Sequence, residues 1–532
     1  MSPLVIGRTR FALAALAATG AWLVGCHPEQ SREGIVVLVD SVPDSLDVRL
    51  TLTTVGQRVA QLISPGLITF DEESRPVGDL ANEYRMLDSR TLELTLREHL
   101  TFHDGSPLTS EDVKATLEGL ISRVVPSPRA DKLEAIEWVE APGPLTVRIH
   151  LKRPYAPMLS ELSLGIVPRS RALPPDAAKQ DREPIGAGPF RFAGQPDEEH
   201  LLLLPFEGYY RGKPRIRKVL IRTVRDQTTM VLELLKGRAD LVVGALSPSL
   251  FPALLADGRI RIDSRPGSAY AYLGLNLRGG ALADARVRRA ICHAIDIEPL
   301  LQTKFHGMAE PATGMLPRSH WAYAKTDGCR RDAARAVQLL EEAGYAGPRP
   351  GAEPPSASPG SPEIRPRLHL TLKTSTDRFR KSIALVFQEQ LATVGIDLEI
   401  RSLELGTFFN DVRKGNFELF GLVWSQVLEP DLLRWVFSSS NIPGPENAFG
   451  GLNRMGYRNG RLDEVLDRAT RVDRDERKQL YAQAQALIDA DLPCIPLWHE
   501  RSPAVLSARL QEYEPSPHGY LQPLAGAREA AP

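Results

Sequence analysis

The chain is predicted to be an α/β protein of more than one domain, and three observations carry that expectation. Its 532 residues exceed what a single hydrophobic core normally holds. A strand–helix–strand pattern occurs at two widely separated places. The composition, 42% hydrophobic and 25% charged, is that of an ordinary globular chain.

The elements follow in order. Alternating apolar residues predict strands at Leu92-Glu93-Leu94-Thr95-Leu96 and Val147-Arg148-Ile149-His150-Leu151. Between them, Asp104-Gly105 after Phe102-His103 is a turn signal. A capping hydroxyl followed by acidic residues, in Thr109-Ser110-Glu111-Asp112, opens a helix running to about Leu120. Further on, 219–224 reads as a strand, Gln227 to Lys236 as a helix stopped by Gly237, and 240–243 as a buried strand. That unit favours parallel pairing. Asp332 caps a helix with Ala336, Val337, Leu340 and Ala343 inward and Gly344 as its stop. Leu368, Leu370 and Leu372 alternate on a strand. A helix from about Arg378 then aligns Ile383, Val386, Phe387 and Leu391 and ends at Gly395, before a further strand carrying Leu398 and Ile400. Residues 347–366 hold seven prolines and read as an exposed loop inserted within a domain.

Charge and motifs narrow the function. With 65 basic and 66 acidic residues, the chain lacks the basic excess of a nucleic-acid binder. There is no Gly-x-Ser-x-Gly elbow, P-loop or His-Glu-x-x-His, so an enzyme is not expected. His103-Asp104 is better read as turn chemistry than as a dyad. Trp498-His499-Glu500 reads as a strand end with an amphipathic tip, and the arginines of Arg286-Val287-Arg288-Arg289 as a solvated helix face. No cysteine spacing fits a metal site and no histidine constellation stands out, so no metal and no cofactor are expected.

The N-terminus is the most informative stretch. Arg8 and Arg10 precede an apolar run from Phe11 to Val24, which has the form of an export signal and is short for a membrane span. The run ends in Leu23-Val24-Gly25-Cys26, which resembles a bacterial lipobox. By that resemblance residues 1–25 are a lipoprotein signal peptide, Cys26 is lipidated and becomes the mature N-terminus, and the protein is held at a membrane of the bacterial envelope, outside the cytoplasm. Of the remaining Cys292, Cys329 and Cys494, at most one pair forms a disulfide, and sequence does not choose which.

Most of the mature chain resembles the extracytoplasmic solute-binding proteins of ABC importers, family 5, the peptide- and nickel-binding family. The resemblance rests on stretches in the family's order. They are 102–113, Gly186-Ala187-Gly188-Pro189-Phe190, and Tyr209-Tyr210-Arg211-Gly212-Lys213-Pro214. They continue with Tyr272-Leu273-Gly274-Leu275-Asn276 and its sequel 284–296, then Gly456-Tyr457-Arg458-Asn459 and Asp491-Leu492-Pro493-Cys494-Ile495-Pro496-Leu497. It implies an α/β, two-lobed periplasmic-binding-protein-like fold of type II around a ligand cleft, with an extra subdomain. Lobe I would comprise 34–69, 184–271 and 494–532, the extra subdomain 70–183, and lobe II 272–493. It further implies a monomer that passes a small-molecule or peptide-like ligand to a permease and ATPase complex, touching the membrane only through its lipid anchor.

In this family a carboxylate follows a tryptophan and pairs with the ligand's amino group. Here the matching segment is Trp424-Ser425-Gln426-Val427, with valine where the aspartate is expected. The expected ligand-binding residues are therefore Trp424, Ser425, Gln426 and Arg378, with Glu429 as a substitute anchor only if the loop is rearranged. Ordinary peptides with free amino termini are expected to bind poorly, because an unpaired buried ammonium is costly. The rival readings are an enzyme on the same scaffold, which would need an acid–base or nucleophile set that is not found, and an extracytoplasmic sensor or chaperone lipoprotein that keeps the fold without transport.

Overall fold

The computed structural model describes residues 33–127, 129–173, 177–345 and 368–530. Cys26 and the proline-rich 347–366 stretch lie outside the described residues. Gly34–Ala531 form one compact unit.

An eleven-stranded sheet organises this unit. At its centre, Ile260–Leu275 and Cys494–Ser507 run antiparallel, with a register shift between Ala271 and Tyr272. One half of the sheet builds outward from residues 504–506, which pair with Leu241–Val243; that strand pairs in parallel with Ile35–Val39. The other half builds from residues 270–275, which pair with Leu419–Trp424, followed by the parallel strands Leu368–Ser375 and Ile396–Leu403. The central ribbon thus belongs to both halves, and its register shifts between Arg265 and Ala269.

Each half is covered on both faces. Along Ile35–Val39, Ile35, Val37 and Val39 pack with the helix Thr54–Ile63, while Val36 and Leu38 pack with Met230 and Leu234 of Gln227–Leu235. A fully buried strand between two helix layers therefore shows no polar alternation. In the other half, Leu370 and Leu372 face the helices Ala285–Ala294, Ala333–Glu342 and Arg378–Ala392. Phe420 and Leu422 face Leu405–Lys414, Gly460–Ala469 and Arg474–Asp491.

Residues 67–187 supply a separate core around a four-stranded antiparallel sheet, Ala81–Asp88, Thr91–Leu96, Thr146–Leu151 and Ile136–Gly143. The helix Ser110–Ile121 lies on it, and Asp112 accepts a bond from the backbone N–H of Thr109 at 2.9 Å, closing the expected cap.

The strand–helix–strand expectations hold in type, with one difference. Leu368–Ser375 and Ile396–Leu403 are parallel neighbours. Val219–Thr223 and Leu241–Val243, in contrast, lie on either side of Ile35–Val39, each parallel to it. Cys292 and Cys329 form the disulfide, and Cys494 is a buried free thiol.

The expectation of a solvated Arg286–Arg289 face is corrected. Arg286 and Arg289 are exposed, but Arg288 is buried. It donates to the carbonyls of Leu492, Leu282, Ala283 and Asp491 at 2.5–3.1 Å. Arg288 thus satisfies carbonyls left without partners at the C-terminal end of Arg474–Asp491, where the helix dipole also favours a cation.

Candidate functional site

A cavity of 630 Å³ opens beside the central ribbon, where the two halves of the sheet meet. That volume lies within the range of small-molecule sites. Its walls come from both halves. Arg58, Gly244 and Ser247 belong to one, Phe379, Arg380 and Gly421 to the other, and Trp498, Glu500 and Arg501 to the ribbon itself.

Arg58 is carried by the helix Thr54–Ile63. One guanidinium N–H donates to the Val243 carbonyl at 3.0 Å, and Nε is buried without a partner. Burial pulls Arg58 below its usual range, while the nearby Tyr513 and Asp40 push the other way. The guanidinium lies against Gly519, whose φ of +69° favours glycine; a Cβ there would stand 2.5 Å from an Arg58 nitrogen and push the guanidinium aside. An arginine with an unsatisfied N–H at a cavity wall is chemically suited to a carboxylate.

Ribbon geometry fixes Glu500. Its backbone pairs with Ala269 on one side and Ala309 on the other. A Cβ at Gly267 would fall 2.2 Å from the Glu500 carbonyl oxygen, so glycine permits the close approach that places Glu500 on the wall. Trp498 Nε1 donates to Glu500 Oε1 at 3.4 Å. Burial raises the Glu500 carboxyl above the usual range, against the Trp498 bond and the charge of Arg380. The adjacent Arg501 turns to Glu310, at 3.0 Å, and to Ser264. Phe305 packs 4.9 Å from Trp498 and 5.3 Å from Phe379, giving the cavity an aromatic floor.

The sequence-predicted residues are only partly brought together. Ser425 lines the cavity. Gln426 sits at its edge, donating to the carbonyl of the lining residue His518 at 2.7 Å. Trp424 is not among the lining residues. On Leu419–Trp424 it shares the side of Phe420 and Leu422, packs against their core, and lies under the Arg454 guanidinium at 5.9 Å. Arg378 is exposed in the first turn of its helix, and Arg380, two residues on, reaches the wall instead. Val427 is fully buried in the same core as Trp424.

Glu429 lies elsewhere. It pairs with Arg477 and accepts from Ser160 at 2.5 Å and from the Asp431 N–H at 3.2 Å. Arg58 and Arg380 were not singled out from the sequence, and Glu500 was read there only as part of an amphipathic strand end. Adjacent apolar and charged residues in Trp498-His499-Glu500-Arg501 were the available signal for Glu500. Among the described residues, no group of three or more His, Cys, Asp or Glu side chains gathers as a metal site. No helix there is long and apolar enough to cross a membrane.

The profile of "Bacterial extracellular solute-binding proteins, family 5 Middle" matches residues 75–444, more than half of the chain. The chain belongs to this family of solute-binding proteins. Among its relatives, the glutathione-binding protein GsiB of Salmonella typhimurium is 29% identical over 505 residues, covering 91% of this chain and 93% of GsiB. The fold is shared with solved family structures. The ABC transporter substrate-binding protein CtaP of Listeria monocytogenes has a TM-score of 0.82 at 21% identity, covering 94% of this chain and 100% of that one. The periplasmic binding protein DppA of Helicobacter pylori, in complex with the peptide STSA, has a TM-score of 0.74 at 24% identity, covering 93% and 98%. The α/β, periplasmic-binding-protein-like architecture expected from the sequence is therefore the architecture found.

Proposed function

We propose that this chain is the lipid-anchored, extracytoplasmic solute-binding component of an ABC importer. It takes a small peptide-like or other small organic solute into the 630 Å³ cavity and delivers it to membrane permeases. The position of the cavity carries this reading. It lies between two separately packed halves joined through one antiparallel ribbon, so a solute there contacts both and favours their closed arrangement. Walls that are largely apolar, with Ser425 and the charged Arg58, Arg380 and Glu500 set among them, suit a small solute bearing charges.

The peptide-like class is supported by the glutathione-binding and peptide-bound relatives. Lipidation at Cys26 follows from its lipobox-like context. The lobe partition, with 272–493 opposite 34–69, 184–271 and 494–532, and with 70–183 as an added subdomain, is part of the same reading. The segregated cores of the two sheet halves and of residues 67–187 support it.

Native mass spectrometry of the purified protein tests the function directly. A co-purifying small solute, whose re-addition to stripped protein raises the melting temperature and compacts the molecule in X-ray scattering, is the expected result. A solute-free protein that neither gains stability nor compacts with peptides, glutathione or cell-free metabolite extract would overturn it.

A further inference from the structure

We propose that Glu500 is the specificity-determining anchor of the cavity, binding a protonated amine of the solute; this rests on the solute-binding reading above.

The first ground is the lack of a direct ion pair: the charge of Arg380 bears on Glu500 without forming one. Buried carboxylates elsewhere in the fold are matched by strong donors: Asp47 by Arg49 at 2.6 Å, Asp431 by Arg434 at 2.9 Å, and Asp240 by Ser507 and the Val36 N–H at 2.8–2.9 Å. Among the described residues Glu500 forms no ion pair, and its one donor is the indole of Trp498 at 3.4 Å. Arg501, next along the strand, is committed to Glu310 and Ser264. A half-buried carboxylate that no cation contacts directly is costly. An incoming ammonium would offset that cost at the cavity wall.

The second ground is the surroundings. Trp498, Phe305 and Phe379 line the same part of the cavity, and the negative faces of aromatic rings favour a nearby cation. The third is rigidity. The backbone of Glu500 pairs with Ala269 on one side and Ala309 on the other, which holds its Cα at the cavity wall. This carboxylate sits on the strand Cys494–Ser507, whereas the Val427 position, where the sequence suggested an anchor was missing, lies in the loop after Leu419–Trp424. The expected rejection of free amino termini therefore does not follow.

The test compares the wild-type chain with Glu500→Gln, both freed of carried-over solute by unfolding, dialysis and refolding. Calorimetry measures binding of Ala-Ala-Ala, its N-acetylated form and glutathione. The expected result is binding of an amine-bearing peptide by the wild type, weakened at least tenfold by N-acetylation of Ala-Ala-Ala or by Glu500→Gln. The ligand-free variant should also melt above the wild type, since a neutral amide is easier to bury than an unpaired carboxylate. Equal affinity for free and acetylated peptide, or a Glu500→Gln affinity within twofold of wild type, overturns amine anchoring and leaves solute binding standing. If no probe binds the wild type, the peptide-like reading fails, and the ligand-free melt judges Glu500 alone. Melting above wild type upholds an unpaired anchor, and melting below it shows a structural residue and overturns the proposal.

Discussion

Glu429→Gln should destabilise the protein without weakening solute binding. Glu429 and Arg477 are 14% and 8% exposed at their side chains, so their charges meet largely out of water. Arg477 also lies 5.5 Å from the rings of Trp321 and Tyr481 and donates to the Tyr481 hydroxyl at 3.3 Å. Removing one partner of a buried ion pair costs about 3–5 kcal/mol, because the other charge is stranded. The Asp431 and Ser160 bonds go to different oxygens of Glu429, so glutamine's single oxygen keeps one of them, which puts the expected loss near the lower end, about 3 kcal/mol. That is roughly a hundredfold in the folding equilibrium. Urea unfolding of wild type, Glu429→Gln, Arg477→Met and the double variant gives the coupling directly. The double variant should recover at least half of the single loss, since no stranded charge remains. A Glu429→Gln protein within about 0.5 kcal/mol of wild type that has lost tenfold in solute affinity would refute the reasoning and make Glu429 a ligand anchor.

Four further outcomes are expected. Replacing both Cys292 and Cys329 with serine should cost up to about 4 kcal/mol, the loop-closure value for a separation of 37 residues, read as a lower denaturation midpoint that no longer responds to reductant. Burial holds His103, His320 and His499 at about 4, below their ordinary 6.5, so they are neutral in the fold near pH 7. The unfolded chain takes up their protons first, so these three contribute stability above pH 6.5 that is lost as pH falls towards 4; thermal melts across that window check the slope. Trp424→Ala should lower the melting temperature while changing solute affinity less than threefold, because the ring packs into the core; calorimetry of the same variant reads the affinity. Cys26→Ser should leave the protein unprocessed or release it from the membrane fraction; a processed variant that survives a carbonate wash in the pellet would argue against lipidation there.

Local pattern made much of the fold legible. The strands around Leu92–Leu96 and Leu368–Leu372 and the helices opened by Thr109 and Asp332 form where alternation and capping residues place them, because those signals act over a few residues. Pairing order was not legible. Nothing local indicates that Ile35–Val39 inserts between two strands about 180 residues further on. The site suffered from the same gap. Strand parity places Trp424 with Phe420 and Leu422, and that inference was open to the sequence; that Gly421, Leu422, Val423 and Ser425 line the cavity and Trp424 does not was not. Arg288 and Glu500 look like ordinary surface charges until distant segments, 491–492 for one and the ribbon strand carrying Ala269 for the other, are brought alongside.

The ribbon of Ile260–Leu275 and Cys494–Ser507 also bears on how binding strength can be adjusted. On the two-lobed reading proposed above, the interval between Arg265 and Ala269, where its pairing is interrupted, is the expected hinge between the two halves. The apparent affinity of such a molecule is its intrinsic affinity scaled by the fraction of time it spends in the competent arrangement. A substitution at Ser264, which does not line the cavity, that stiffens or relaxes this stretch by about 1.4 kcal/mol would shift apparent affinity about tenfold for every solute alike. Selectivity would stay with the cavity wall, so capture strength and chemical preference are set by different parts of the same two strands.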